Sequence, residues 1–147
     1  MATVTPTLTI ASTNAFSDAL SFSVTVNSDT TSPSAGVTRM SSDENIGDGA
    51  GIIMTEAAST GTTFLYLKHL GVLASDGTTA SHASTDFITI KNADGEFSIA
   101  KLQPSEFMWL PVAPFDGSDD GASDAGGISI VKGGNAVMVE FAYFTRS

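Results

Sequence analysis

Between residues 62 and 112, short runs of apolar and β-branched residues alternate with clusters of turn formers, a rhythm that suits antiparallel strands and little else. The segment reads TTFLYLKHLGV, then a Gly/Ser/Thr/Asp spacer, then DFITIKNADGEFSIAKLQPSEFMWLPV. Phe87-Ile88-Thr89-Ile90-Lys91 and Phe97-Ser98-Ile99-Ala100-Lys101 flank Asn92-Ala93-Asp94-Gly95. That spacing predicts a β-hairpin, with Gly95 able to supply the positive φ such a loop needs. Upstream, Leu20-Ser21-Phe22-Ser23-Val24-Thr25-Val26 is apolar at every even position and hydroxylated at every odd one. Such a strand turns one face to a core and the other to water.

Further strands are expected over residues 5–10, 37–40, 51–55, 64–70, 106–112, 127–132 and 136–145. Gly133-Gly134-Asn135 between the last two predicts a second hairpin turn. Helix signals are sparse. Residues 13–20 could form one turn capped by Thr13 or Asn14, and Glu56-Ala57-Ala58 another, each too short to stand alone. The expected fold is therefore an all-β, antiparallel, jelly-roll-like β-sandwich of about eight to ten strands with negligible helix, ahead of an immunoglobulin-like sandwich. Phe22, Val24, Val26, Ile88, Ile90, Phe97 and Ile99 are its expected interior residues.

At 147 residues the chain reads as one domain over 1–147, able to bury roughly 70% of its extended-chain surface. Residues 1–14 are read as an N-terminal arm or edge strand, because Pro6 lacks a ladder donor. Long polar connections are expected over 28–36, 41–51, 74–85 and 113–126. Connections of that length tend to be functional or to order against a neighbour.

Composition excludes several functions. There are no cysteines, hence no disulfide, thiolate metal site or cysteine nucleophile. A net charge of −10 with only six Lys and Arg repels phosphate backbones. Arg39, Lys68, Lys91, Lys101, Lys132 and Arg146 are scattered, so neither nucleic acid nor an anionic membrane is an expected partner. An acidic surface suits docking onto a basic one. The first residues lack the basic and apolar regions of a signal peptide, so export by that route is not expected. The most apolar stretch, 107–115, holds Pro111 and Pro114 and is far shorter than a bilayer span.

Chemistry-bearing constellations are few. Asp116, Asp119, Asp120 and Asp124 lie in a glycine-rich loop and offer the hard oxygen ligands calcium prefers, without EF-hand spacing or a terminal glutamate. The loop is read as solvated, with a calcium site as the alternative; Asp43, Glu44 and Asp48 make a weaker version. No cofactor is expected. His69 and His82 are the only imidazoles. No GxSxG elbow surrounds any serine, so both are read as surface or interface histidines. No pair among the sixteen acidic residues stands out as a glycosidase dyad. Gly47-Asp48-Gly49-Ala50-Gly51 lacks the helix and lysine of a phosphate loop. A carbohydrate-binding module would line up two or three aromatics on one face. Trp109, Phe107, Tyr66, Tyr143, Phe141 and Phe144 are read mainly as core instead. No catalytic residue is expected, and the chain is read as non-enzymatic.

The order of events from residue 62 onward resembles small β-sandwich virion proteins of tailed bacteriophages. Leu65-Tyr66-Leu67-Lys68 precedes a polar loop, then Ile88-Thr89-Ile90-Lys91, a hairpin, and Leu102-Gln103-Pro104-Ser105-Glu106-Phe107 leading into an apolar strand with proline. In such proteins the corresponding turn often reads Pro-Gly-Glu, and Ser105 occupies the glycine position here. The resemblance implies a capsid decoration (cement) protein on the outer surface of the head. It would be made in the host cytoplasm, bind the major capsid protein or other virion subunits, and form a homo-oligomer, with a trimer favoured. A tail, baseplate or fibre component is the nearest alternative within that class, and a carbohydrate-binding module the alternative outside it.

Overall fold

The computed structural model describes residues 2–12, 20–25, 28–33, 38–42, 51–55, 63–92, 97–112 and 127–146. These form twelve strands: β1 (Ala2–Val4), β2 (Thr7–Ser12), β3 (Leu20–Thr25), β4 (Ser28–Pro33), β5 (Thr38–Ser41), β6 (Gly51–Thr55), β7 (Thr63–Leu73), β8 (Ile88–Asn92), β9 (Ser98–Leu102), β10 (Phe107–Val112), β11 (Gly127–Lys132) and β12 (Val137–Arg146). No helix occurs among the described residues. The fold is an all-β antiparallel sandwich, with two strands more than the upper end of the expected range. One extra strand is β4, in a segment expected to be a polar connection; β1 is the other. Of the one-turn helix candidates, residues 13–19 and 56–58 lie outside the described residues, and Leu20 opens β3.

The larger sheet has six strands, ordered β1-β4-β12-β7-β10, with β5 beside β12. β12 is its spine. Residues 138–141 pair with β5 and residues 144–146 with β4 on one side, while β7 runs along the other. The second sheet is ordered β6-β11-β8-β9, and β2-β3 forms a separate two-stranded ribbon.

Among the described residues one core lies between the two larger sheets. Leu65, Leu67, Val137, Val139 and Phe141 from one meet Ile88, Ile90, Leu102, Ile128 and Ile130 from the other. β8 shows why: its burial alternates strictly, with Ile88 and Ile90 inward and Thr89 and Lys91 half-buried on the other face. Ile99 packs at the margin of this core. Completely burying a side chain such as Ile88 contributes about 1.5–3 kcal/mol.

Three expectations need correction. β8 and β9 pair as foreseen, Ile88 opposite Leu102, but Phe97 precedes the ladder and is 68% exposed. Residues 93–96, including Gly95, lie outside the described residues. Val24 is 51% exposed, because its strand belongs to the two-stranded ribbon and not to the core. Val26 and the side chain of Phe22 are not described.

The third correction concerns Gly133-Gly134-Asn135, which is no hairpin turn. β11 pairs with β6 and β8, and β12 with β4, β5 and β7, so these residues carry the chain from one sheet to the other. The glycines are needed for close approach. A Cβ on Gly133 would lie 2.4 Å from the Phe87 ring, and one on Gly134 2.7 Å from Asp86 Oδ1.

Candidate functional site

The pairing of β7 with β10 sets Tyr66 opposite Trp109, Phe64 opposite Pro111 and Lys68 opposite Phe107. Because successive residues of a strand point to opposite faces, these side chains share the face turned away from the core. Leu65, Leu67 and the alternate β10 residues Met108, Leu110 and Val112 meet the core instead. The six-stranded sheet thus has apolar residues on both faces. Trp109 stacks on Phe64 with ring centroids 5.3 Å apart and meets Phe144 at 5.6 Å. The Tyr66 hydroxyl donates to Glu140 Oε1 at 3.1 Å.

The β2–β3 ribbon stands over this aromatic face. On the ribbon Leu8 faces Val24 and Ile10 faces Phe22 across the strands. The intervening pairs are hydroxyls: Thr7 with Thr25 at 3.0 Å and Thr9 with Ser23 at 3.1 Å. Between ribbon and sheet runs a groove of about 770 Å³, with Leu8, Val24, Tyr66, Phe107, Trp109 and Pro111 on its walls. Leu8 remains 47% and Phe107 62% exposed. Among the described residues no charged side chain lines the groove, and its volume falls in the range of ligand sites. A smaller depression near Ser41, Leu73 and Asn135, about 320 Å³, has no aromatic wall.

The aromatic expectation is therefore revised. Phe141 and Tyr143 belong to or border the core as foreseen, but Tyr66, Trp109, Phe107 and Phe144 lie on the second face. The signal was present in FLYL and FMWLPV. Both strands are apolar at odd and even positions alike, the pattern of a strand covered on both sides.

A polar cluster at the sheet crossing holds both histidines. His69 is completely buried, against the expectation of a surface or interface residue. Gly71 N–H donates to its Nδ1 at 3.0 Å, so the ring proton sits on Nε2, which lies 2.7 Å from the Asp86 carbonyl and donates to it. The imidazole thereby links a β7 residue to the chain entering β8. Asp86 is itself buried. Its Oδ2 accepts from His82 N–H at 2.7 Å, and its Oδ1 from Asn135 N–H, Asn135 Nδ2 and Thr85 Oγ1 at 3.0, 3.1 and 3.1 Å. The backbone N–H of His82, then that of Asn135, holds the carboxyl below its ordinary range against the opposing effect of burial. Nothing in the local sequence marked Asp86 as this hub, since its key partner is 49 residues away.

His82 is exposed, with Ser84 Oγ 2.9 Å from its Nδ1. Asp86 bonds the backbone of His82 and not its ring, so this serine, imidazole and carboxylate do not line up as a charge-coupled triad. Nearby, Asp76 accepts from the Thr79 hydroxyl and from the N–H groups of Thr78 and Thr79. These bonds, the Thr79 hydroxyl foremost, lower its pKa from 3.8 to about 2. They close residues 76–79 into a tight turn. The acidic stretch with Asp116, Asp119, Asp120 and Asp124 lies outside the described residues, as do Asp43, Glu44 and Asp48.

A scan against protein-family models and searches of curated proteins and of solved structures returned no match.

Proposed function

We propose that this chain is a non-enzymatic structural protein of a tailed-phage virion, a capsid decoration protein that docks on the outer surface of the head. The reading rests first on the sequence resemblance over residues 62–147. The observation that supports it most is a β-rich fold whose first strands lie at an edge. β1 is the terminal strand of the six-stranded sheet, and β2 continues into the ribbon over the groove. Terminal strands offer unpaired backbone groups to a partner. Repetition of a modest contact over a symmetric oligomer adds avidity without a large footprint per chain.

The test is binding to empty heads. Purified protein should decorate heads that lack it, with copies on the order of hundreds per particle by quantitative mass spectrometry, as a repeated shell site requires. Copies in small multiples of three or six would favour a tail, baseplate or fibre part and refute the head assignment.

A second reading has its own observation. Trp109, Tyr66 and Phe107 share one face beside an open groove, the arrangement by which aromatic rings stack on sugars. Glycan binding abolished by Trp109→Ala or Tyr66→Ala, in a chain that leaves heads bare, would establish a carbohydrate-binding module instead.

A further inference from the structure

We infer that His69 is an acid-operated latch: a proton arriving at its Nδ1 releases the chain between Gly71 and Asp86 while the core of the sandwich stays closed. The inference concerns the polar cluster at the sheet crossing and does not require the virion reading.

The latch begins at a break in the ladder. Val137 pairs with Leu73 and Val139 with His69, so Leu70, Gly71 and Val72 stand opposite Met138 alone. β7 bulges there, and Gly71 makes the bend at a φ of 80°. Both Gly71 backbone groups then bond outside the β12 ladder. Its carbonyl accepts from Ser81 N–H at 3.0 Å, and its N–H has the His69 ring as acceptor. The same ring reaches the chain entering β8, through Nε2 and the Asp86 carbonyl. One completely buried imidazole thus caps the bulge and ties it to the far end of its own loop. Within that closure Leu73 N–H donates to the Thr79 carbonyl, Gly77 N–H to Leu73 and Asp86 N–H to His82.

The arrangement accommodates only the neutral ring. Nε2 already carries its proton, so a second one has only Nδ1 to occupy, where a backbone N–H points. Protonated there, the ring sets N–H against N–H and buries a charge. The charged groups around it are engaged elsewhere. The Glu106 carbonyl accepts the His69 N–H at 2.9 Å, but its carboxylate is exposed and accepts from Gln103 N–H at 2.7 Å. The Asp86 carboxylate is filled by His82, Thr85 and Asn135. Asp76 closes its own turn, and exposed His82 has its ring beside Ser84. Lys68 and Glu140 stand opposite each other on the outer face of β7 and β12. From the opposing sheet, Lys132 is half-buried opposite Ile88, and its charge has the sign of the protonated ring. The opened segment binds the proton and the closed one does not, so opening gains as pH falls.

Hydrogen exchange read by mass spectrometry on the full chain tests this between about pH 7.5 and 5, with rates corrected for the intrinsic effect of pH. That window lies above the ordinary carboxylate range. Peptides within residues 71–86 should lose protection, by up to about tenfold per unit below about pH 6.5, while peptides of β8 and β11 do not change. His69→Gln offers a donor to the Asp86 carbonyl but takes up no proton, so its exchange should be flat across the window. His82→Asn removes the only other imidazole and should leave the response intact. A response that survives in that variant belongs to His69 even where the glutamine variant does not fold.

The inference is overturned if protection of residues 71–86 in the unchanged chain is constant across the window. It is equally overturned if the loss persists in His69→Gln, disappears in His82→Asn, or is matched step for step by β8 and β11, which would be unfolding of the whole sandwich.

Discussion

Ser105 carries a positive φ of 71°, a region that costs a residue with a Cβ about 1 kcal/mol relative to glycine. It follows Pro104 in a turn closed by Glu106 N–H donating to the Gln103 carbonyl at 3.0 Å. A left-handed third residue after proline is the type II pattern. Glycine is thus conformationally preferred at this position. Ser105→Gly should raise stability by up to about 1 kcal/mol in urea unfolding. Acid acts on other residues. Asp86 and Asp76 are both held below the ordinary carboxylate pKa. Their stabilisation is complete above the unfolded value of 3.8 and is lost as pH falls through the native one, about 2 for Asp76. Unfolding midpoints measured from pH 6 down to 2 should fall below about pH 4. In the Asp76→Asn/Asp86→Asn chain that part of the decline should be absent, from a lower starting stability.

Elements were legible in the sequence to the extent that one strand decides them. Gly51–Thr55 and Gly127–Lys132 begin and end where the alternation and flanking glycines put them, and β8–β9 was readable because its two strands adjoin. What one strand does not decide is its neighbour. Gly133-Gly134-Asn135 has the composition of a hairpin turn, yet distant groups, Phe87 and Asp86, determine where it goes. The alternation of Leu20–Thr25 announces two unlike faces but not what covers the apolar one, and so Val24 was misplaced. Of the candidate site, the aromatic residues were visible, while their face depended on register with β7. Gly133→Ala should cost about 1–3 kcal/mol in thermal unfolding, as the new methyl displaces the Phe87 ring. Lys101 Nζ lies 3.5 Å from the centroid of that ring. Removing residues 2–12 deletes β1 and β2 but no core residue. On the proposed decoration role that chain should fold and bind heads far more weakly; unchanged affinity would leave attachment to the loops.

For the whole molecule, the ribbon, the six-stranded sheet and the four-stranded sheet succeed one another, so the middle sheet is apolar on both faces. The proposed role needs no ion, and EDTA should leave the melting temperature unchanged. A calcium-dependent rise of several degrees would instead reveal a ligand of the native state. The place of β12 has a consequence for how the molecule is made. β4, β5 and β7 all join through this strand, yet it follows every one of them in the sequence. Until β12 has been synthesised, β4, β5 and β7 have no common partner, and only the β1–β4 and β7–β10 pairs of the larger sheet can form. Loops must close over long separations before any pairing rewards them, which places folding in the slow, millisecond-to-second class of β topologies. During that delay the ribbons wait with open edges, exposed to neighbouring chains on the same message.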